Sequence, residues 1–180
     1  MRLKWLPKDD AATPLFRPPG EADSVIIRVA AGCPWNRCTF CGMYKGVRYS
    51  VRPLAEIARD IRAAARSCPH AQRVFLADGD VLAVPPDLLA AVLDELNASF
   101  PRLARVGVYA NGHSIQMTGD ERLDWLRAHK LHTLYMGLES GDDELLAVVE
   151  KRERAVEMIA ACQRAQAHGL RMSVMVLLGL

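Results

Sequence analysis

Cys33, Cys38 and Cys41 form a C-x4-C-x2-C array that follows directly on the apolar run Ser24-Val25-Ile26-Ile27-Arg28-Val29-Ala30. Thiolates this close together on an irregular loop can reach one soft metal centre. A structural zinc would ask for a fourth Cys or His nearby, often in a second C-x2-C knuckle, and none follows. Three thiolates without a near fourth suggest a four-iron cluster with one iron left open. The spacing also admits a [2Fe–2S] centre whose fourth cysteine lies further along the chain, with Cys68 the candidate for that place. Between these readings the elements that carry the loop must decide.

Those elements repeat. Ser24–Ala30 reads as a first strand, and the cysteine loop leaves its C-terminal end. Pro53 starts a helix where a missing N–H costs nothing, with Leu54, Ile57, Ala58, Ile61 and Ala65 on one apolar face. Arg73–Ala77 is a second strand, and Pro85-Pro86 open a helix with Leu89, Val92, Leu93 and Leu96 inward. Arg105–Ala110 is a third strand. Thr118-Gly119-Asp120-Glu121 has the form of a capping box for a helix carrying Leu123 and Leu126. His132–Gly137 is a fourth strand. A helical stretch follows, with a break expected near Lys151, and Gly169 fits its C-terminal cap. Arg171–Leu178 is a fifth strand. Each connection is long enough for a crossover helix, so the strands are expected to be parallel.

The whole chain sets bounds around this pattern. At 180 residues, 51% hydrophobic and 24% charged, it reads as one ordinary soluble domain. A net charge of +2 gives no strong argument for nucleic acid or membrane. No apolar run approaches the ~20 residues of a membrane span. Residues 1–23, with Pro7, Pro14, Pro18, Pro19 and Gly20, read as an irregular arm without a signal-peptide pattern, leaving 24–180 as the core. Five unevenly spaced cysteines do not make a disulfide framework, and reduced thiols favour the cytoplasm.

In parallel α/β folds, sites assemble at the C-terminal ends of strands. Four such ends carry distinctive groups here: the cysteines, then Asp78-Gly79-Asp80, then Tyr109 and Asn111, then Glu139-Ser140-Gly141. All are expected at one mouth.

The cysteine loop, with Phe40 just before the last cysteine, resembles that of the radical S-adenosylmethionine superfamily, although its first gap is one residue longer than the usual spacing. Asp78-Gly79-Asp80 resembles that family's Gly-Gly-Glu motif, with Asp78 in place of a glycine and Asp80 shorter than the glutamate. Gly137-Leu138-Glu139-Ser140-Gly141 resembles its fourth-strand motif, and Val176–Gly179 the start of its fifth-strand adenine motif. The resemblance implies an α/β fold, a parallel-strand partial TIM barrel of six strands, so that a chain ending at strand 5 is expected to be C-terminally incomplete with an unprotected edge. It implies that Cys33, Cys38 and Cys41 bind a [4Fe–4S] cluster. Phe40, Asp78, Gly79, Asp80, Tyr109, Asn111, Glu139 and Ser140 would then contact S-adenosylmethionine, with Phe40 near the adenine and Glu139 on the ribose hydroxyls. The implied activity is reductive cleavage to a 5′-deoxyadenosyl radical that abstracts hydrogen from an unknown substrate. An external one-electron reductant of the flavodoxin or ferredoxin type would be the partner. The other readings are an electron-transfer or metal-scaffold module using Cys68, and an inactive truncated relative.

Overall fold

The computed structural model describes residues 15–180; the expectation for the first part of the arm lies outside the described residues. The β-α alternation produces a five-stranded parallel sheet. In spatial order its strands are β1 (Val25–Arg28), β4 (Arg73–Ala77), β5 (Arg105–Tyr109), β6 (Leu131–Glu139) and β7 (Arg171–Val176). The helices are α1 (Leu54–Ser67), α2 (Pro86–Ser99), α3 (Gly112–Met117), α4 (Asp120–Ala128), α5 (Asp143–Val148) and α6 (Ala155–Ala167). This is an α/β parallel partial TIM barrel, with β7 along one edge of the sheet.

The expected first strand is two pieces. Its last residue opens β2 (Ala30–Ala31), which pairs antiparallel with β3 (Ser50–Val51) in a separate two-stranded sheet. That short ladder closes the base of the cysteine loop. Arg52 fastens the return leg: its backbone N–H bonds Val29 O at 3.0 Å, and its guanidinium bonds Arg28 O at 2.9 Å and pairs with Asp60 at 2.8 Å.

Successive strand residues face opposite sides of the sheet, and the two sides differ. Val25, Ile27, Val74, Leu76, Val106, Val108, Leu134 and Met136 belong to the main core with Ile57 and Ile61 of α1, Leu93 and Leu96 of α2, Leu123 of α4 and Met158 of α6. Ile26, Phe75, Ala77 and Tyr135 form a second, smaller cluster with Tyr109 and Leu15 of the arm. Phe75, Tyr109 and Tyr135 meet edge-on, with centroids 5.2 to 6.3 Å apart. The arm is therefore not a loose leader where it is described. Glu21 is 1% exposed, and its carboxylate accepts hydrogen bonds from Ser24 and, at 2.7 Å, from Tyr135.

Two local expectations are corrected. The Thr118–Glu121 capping box does not form. Residues 112–117 make the short helix α3, Thr118 is its C-cap with the hydroxyl on Ser114 O, and Gly119 caps α4 without a side chain. The orphan carbonyls at the end of α3 compete for the threonine. Arg164 of α6 completes that end, donating to Ile115 O at 2.8 Å and Thr118 O at 2.6 Å. A charged donor on carbonyls at a helix end is worth about 2 kcal/mol. Arg164→Met is therefore expected to lower unfolding stability by about that amount in a urea titration, with no change in the site described next.

Candidate functional site

The C-terminal ends of β1, β4, β5 and β6 surround a cavity of about 160 Å³. Cys33, Cys38 and Cys41 line it, together with Phe40, Tyr44, Gly79, Tyr109, Asn111, Glu139, Lys151 and Glu153. Of the residues singled out in the sequence, Asp78, Asp80 and Ser140 are absent from that lining.

The cysteine loop is held from two sides. Gly79 N–H donates to Gly32 O at 3.2 Å, and a Cβ on Gly79 would stand 2.8 Å from both that oxygen and the Cys33 Cβ. Only glycine lets the end of β4 approach the first cysteine so closely. On the other side, Thr39 N–H donates to Val149 O at 2.9 Å and the Trp35 indole N–H to Glu150 O at 2.8 Å. The loop is thereby tied to the segment between α5 and α6.

Glu139 is placed by three features. The β6–β7 register shifts between Gly137 and Glu139, Glu139 has φ +67, and a Cβ on Gly137 would lie 1.9 Å from its Oε1. A bulge re-aims a side chain; here the carboxylate folds back over Gly137. Lys151 stands against it, donating to Gly137 O at 2.7 Å with its ammonium 3.6 Å from Glu139 Oε1. Burial raises the Glu139 pKa, and Lys151 works against that rise. Lys151 was expected only as a helix break. It follows α5 in the chain, and no local signal in the sequence marks it as part of a site on β6.

Asp78 and Asp80 have other occupations. Asp78 is fully buried, with the Arg28 guanidinium 2.9 Å away, and Tyr44 donates to it at 3.4 Å. Asp80, 2% exposed, accepts from the Ser114 hydroxyl at 2.5 Å. Burial pushes its carboxyl up to about 7, while the bonds from Ser114 and from the backbone of Asn111 and Leu82 pull it down. Both acids tie strand ends to their neighbours. The Ser140 hydroxyl accepts from Asp142 N–H at 3.1 Å.

Among the described residues, no three His, Cys, Asp or Glu side chains are placed to hold a single metal ion. A cluster, in which each thiolate meets a different iron, suits three cysteines spread along one loop. Burial raises the thiol pKa of Cys33 and Cys38. Opposing it are backbone N–H groups of Asn36 and Trp35 at Cys33, and the Lys151 ammonium at Cys38. Cys68 caps the far end of α1 and packs beside the main core. That 14-residue helix spans about 21 Å away from the loop, which removes Cys68 as a fourth ligand.

A parallel partial barrel with three cysteines on the loop after its first strand defines a class of cofactor-binding proteins. The radical SAM superfamily model matches residues 27–180, and the chain belongs to that superfamily. A search of curated proteins found no match. Among solved structures, the chain resembles the cobalamin-dependent S-adenosylmethionine radical enzyme OxsB with aqua-cobalamin and S-adenosylmethionine bound. The TM-score is 0.67 and the identity 17%, over 88% of this chain and 25% of that one. Coproporphyrinogen III oxidase (HemN) from Escherichia coli gives TM-score 0.66 and 17% identity, over 87% of this chain and 37% of that one. Methylornithine synthase (PylB) gives 0.64 and 15%, over 86% and 44%. The chain thus spans a quarter to less than half of these structures, and at such identities the likeness is one of fold.

Proposed function

We propose that this chain binds a [4Fe–4S] cluster through Cys33, Cys38 and Cys41 and takes S-adenosylmethionine into the adjoining cavity as a radical SAM enzyme. The observation that carries this is the convergence on one cavity of the three cysteines, Gly79 and Glu139 from separate strand ends and of Lys151 from the segment between α5 and α6. When bound, the cluster supplies the electron that splits S-adenosylmethionine into methionine and a 5′-deoxyadenosyl radical, which takes a hydrogen atom from the substrate.

The protein's own residues bind and orient. The three thiolates would hold the cluster, and among the described residues the chain offers no fourth thiolate beside them. Lys151, a cation beside Cys38, faces the region where a carboxylate would lie, and Glu139 offers acceptors for ribose hydroxyls. Phe40 and Tyr109 give apolar faces for the adenine, and Asn111 supplies polar contacts. Asp78 and Asp80 act behind the cavity wall, and Ser140 holds the turn into α5. Tyr109, whose hydroxyl pKa burial pushes up to about 12, stays a neutral donor. Among the described residues no helix is long and apolar enough to cross a membrane; a reducing, cytoplasmic setting suits the thiols and is part of this reading.

The test is anaerobic reconstitution with iron and sulfide, followed by EPR of the dithionite-reduced protein with and without S-adenosylmethionine, and assay for 5′-deoxyadenosine. A [4Fe–4S]⁺ signal that shifts with the ligand supports the reading; a [2Fe–2S] signal indifferent to it overturns the reading. One variant probes the ligand side. Gly137→Ala drives a methyl into the place of the Glu139 carboxylate. It is expected to weaken S-adenosylmethionine binding by about 10- to 100-fold, or 1.4–2.8 kcal/mol, while the cluster is retained. Calorimetric titration of the reconstituted variant checks this.

A further inference from the structure

We infer that the substrate is a small organic anion, bound in a groove beside the cavity on the sheet face that carries Phe75, Tyr109 and Tyr135. Its carboxylate or phosphate is held by Arg105 and Arg171, and its carbon chain runs past Tyr135 and Met175 towards the cysteines. The inference rests on the radical chemistry proposed above and adds the class of molecule on which that chemistry acts.

A second cavity, of about 340 Å³, opens on this face. Arg105, Thr133, Tyr135, Arg171, Ser173 and Met175 line it, together with residues 18–20 of the arm. Strand alternation explains the set. In the β6–β7 register Thr133 pairs with Arg171, Tyr135 with Ser173 and Gly137 with Met175. These are every second residue of each strand, so they share a side of the sheet. Arg105 stands two residues before Gly107, the β5 partner of Thr133, and joins the same side one step lower. The groove is therefore graded along the strands. Guanidinium groups lie at the N-terminal end, and Tyr135 and Met175 lie towards the C-terminal end. Tyr135 and Met175 also line the cavity that holds Cys33, Cys38 and Cys41, so the two spaces meet at these side chains. Four residues separate Arg171 from Met175, which is about 13 Å of strand.

The charge in the groove is not balanced. Arg171 is exposed and makes no ion pair among the described residues. Arg105 faces Glu21 at 3.5 Å, and its buried Nε has no hydrogen-bond partner among the described residues. Glu21 is shared, because its carboxylate also accepts from Ser24 and Tyr135. His132, whose Nδ1 lies 2.9 Å from the Thr133 hydroxyl, sits in the same positive field. Burial first, and then Arg127, Arg105 and Arg171, hold its pKa below the ordinary value, with Glu21 acting the other way. A guanidinium fork matches a carboxylate or phosphate with two parallel N–H bonds. The Thr133 and Ser173 hydroxyls offer further donors to the same oxygens. A neutral or cationic molecule would leave these groups uncompensated. An anion anchored at the N-terminal end places its far carbon atoms at the C-terminal ends of the strands, where parallel barrels do their chemistry.

The probes are inorganic phosphate, acetate, hexyl phosphate and heptanoate, titrated calorimetrically into the chain before and after cluster reconstitution. Phosphate or acetate is expected to bind, and the tighter of the two identifies the headgroup. Arg171→Gln is expected to weaken that binding about tenfold or more. The six-carbon chain on the preferred headgroup is expected to tighten binding about tenfold or more, because its methylenes bury against Tyr135 and Met175. Met175→Trp is expected to cancel the gain from the chain and to leave the bare headgroup unaffected. Both substituted residues are exposed on β7, and circular dichroism checks that the variants fold. Saturating S-adenosylmethionine is expected to leave headgroup binding to the reconstituted protein unchanged. The inference is overturned if neither bare anion binds, if Arg171→Gln binds like the wild type, or if S-adenosylmethionine displaces the headgroup. It is equally overturned if the carbon chain adds nothing, or if Met175→Trp keeps the full gain. If no cluster forms, the radical SAM reading fails, while anion binding to the cluster-free chain still decides the groove.

Discussion

Cys38→Ala is expected to leave the protein folded and to bring 5′-deoxyadenosine production down to background. Cys38 is half-buried on the irregular stretch between Cys33 and Cys41, outside both apolar clusters. Truncating such a residue changes stability by about 0.5 kcal/mol or less. Its chemical loss is not replaceable. The Glu139 carboxylate and the Lys151 amine, which line the same cavity, are both harder than a thiolate and poor substitutes on iron. Serine at the same position should fail for the same reason. The measurement is iron and sulfide content per chain, the EPR signal and deoxyadenosine yield, beside circular dichroism as the control for folding. Full cluster loading and activity in Cys38→Ala would exclude it as a ligand. Loss of the fold itself would mean that the loop is structural.

The second large effect concerns stability. Asp78→Ala is expected to destabilise the chain by about 3–5 kcal/mol. Arg28 and Asp78 are 1% and 0% exposed, and removing the carboxylate takes a close counter-charge from a buried guanidinium. That is a large part of a typical domain's margin of about 5–15 kcal/mol. Replacing both partners, Arg28→Met with Asp78→Leu, should recover much of the loss, because an apolar pair avoids the desolvation of two charges. Urea unfolding of the two variants and the single Arg28→Met completes the comparison. The folded fraction of Asp78→Ala should bind S-adenosylmethionine within a few-fold of wild type, since the carboxylate points at Arg28 and not into the cavity. A variant that kept its stability and lost the ligand would reverse this and make Asp78 a direct contact.

Asp78 and Asp80 show why strand-end acids are hard to read from the sequence. Asp78 and Asp80 stand where a ligand-contacting carboxylate is expected, one on each side of Gly79. Their environments are decided by Arg28 on the neighbouring strand and by Ser114 on α3, which are 50 and 34 residues away in the chain. Helix α3 is six residues long and mostly polar, too short for a helical period to declare itself. Its presence also diverts Thr118 from the cap that the Thr-x-x-Glu pattern suggests. Glu21 illustrates the same gap. In the sequence it is one acid in a proline-rich arm, and in the fold it is a buried carboxylate held by Tyr135 and Ser24.

What the sequence determined by itself is the local order. The alternation of β-branched runs with helical periods defines a parallel α/β sheet, because each period is set by neighbours within a few residues. The cysteine spacing defines a loop that can hold a soft metal centre, and the Gly137-Leu138-Glu139 run marks the strand where a carboxylate turns inward. The tertiary structure alone decided which polar groups share the cavity. It brought Lys151 to Glu139 and Cys38, placed Cys68 at the other end of α1, and spent Asp78 on Arg28. The physical reason is that a charge or hydrogen bond is governed by distance and burial, and those are set by how distant strands and helices pack, not by spacing along the chain.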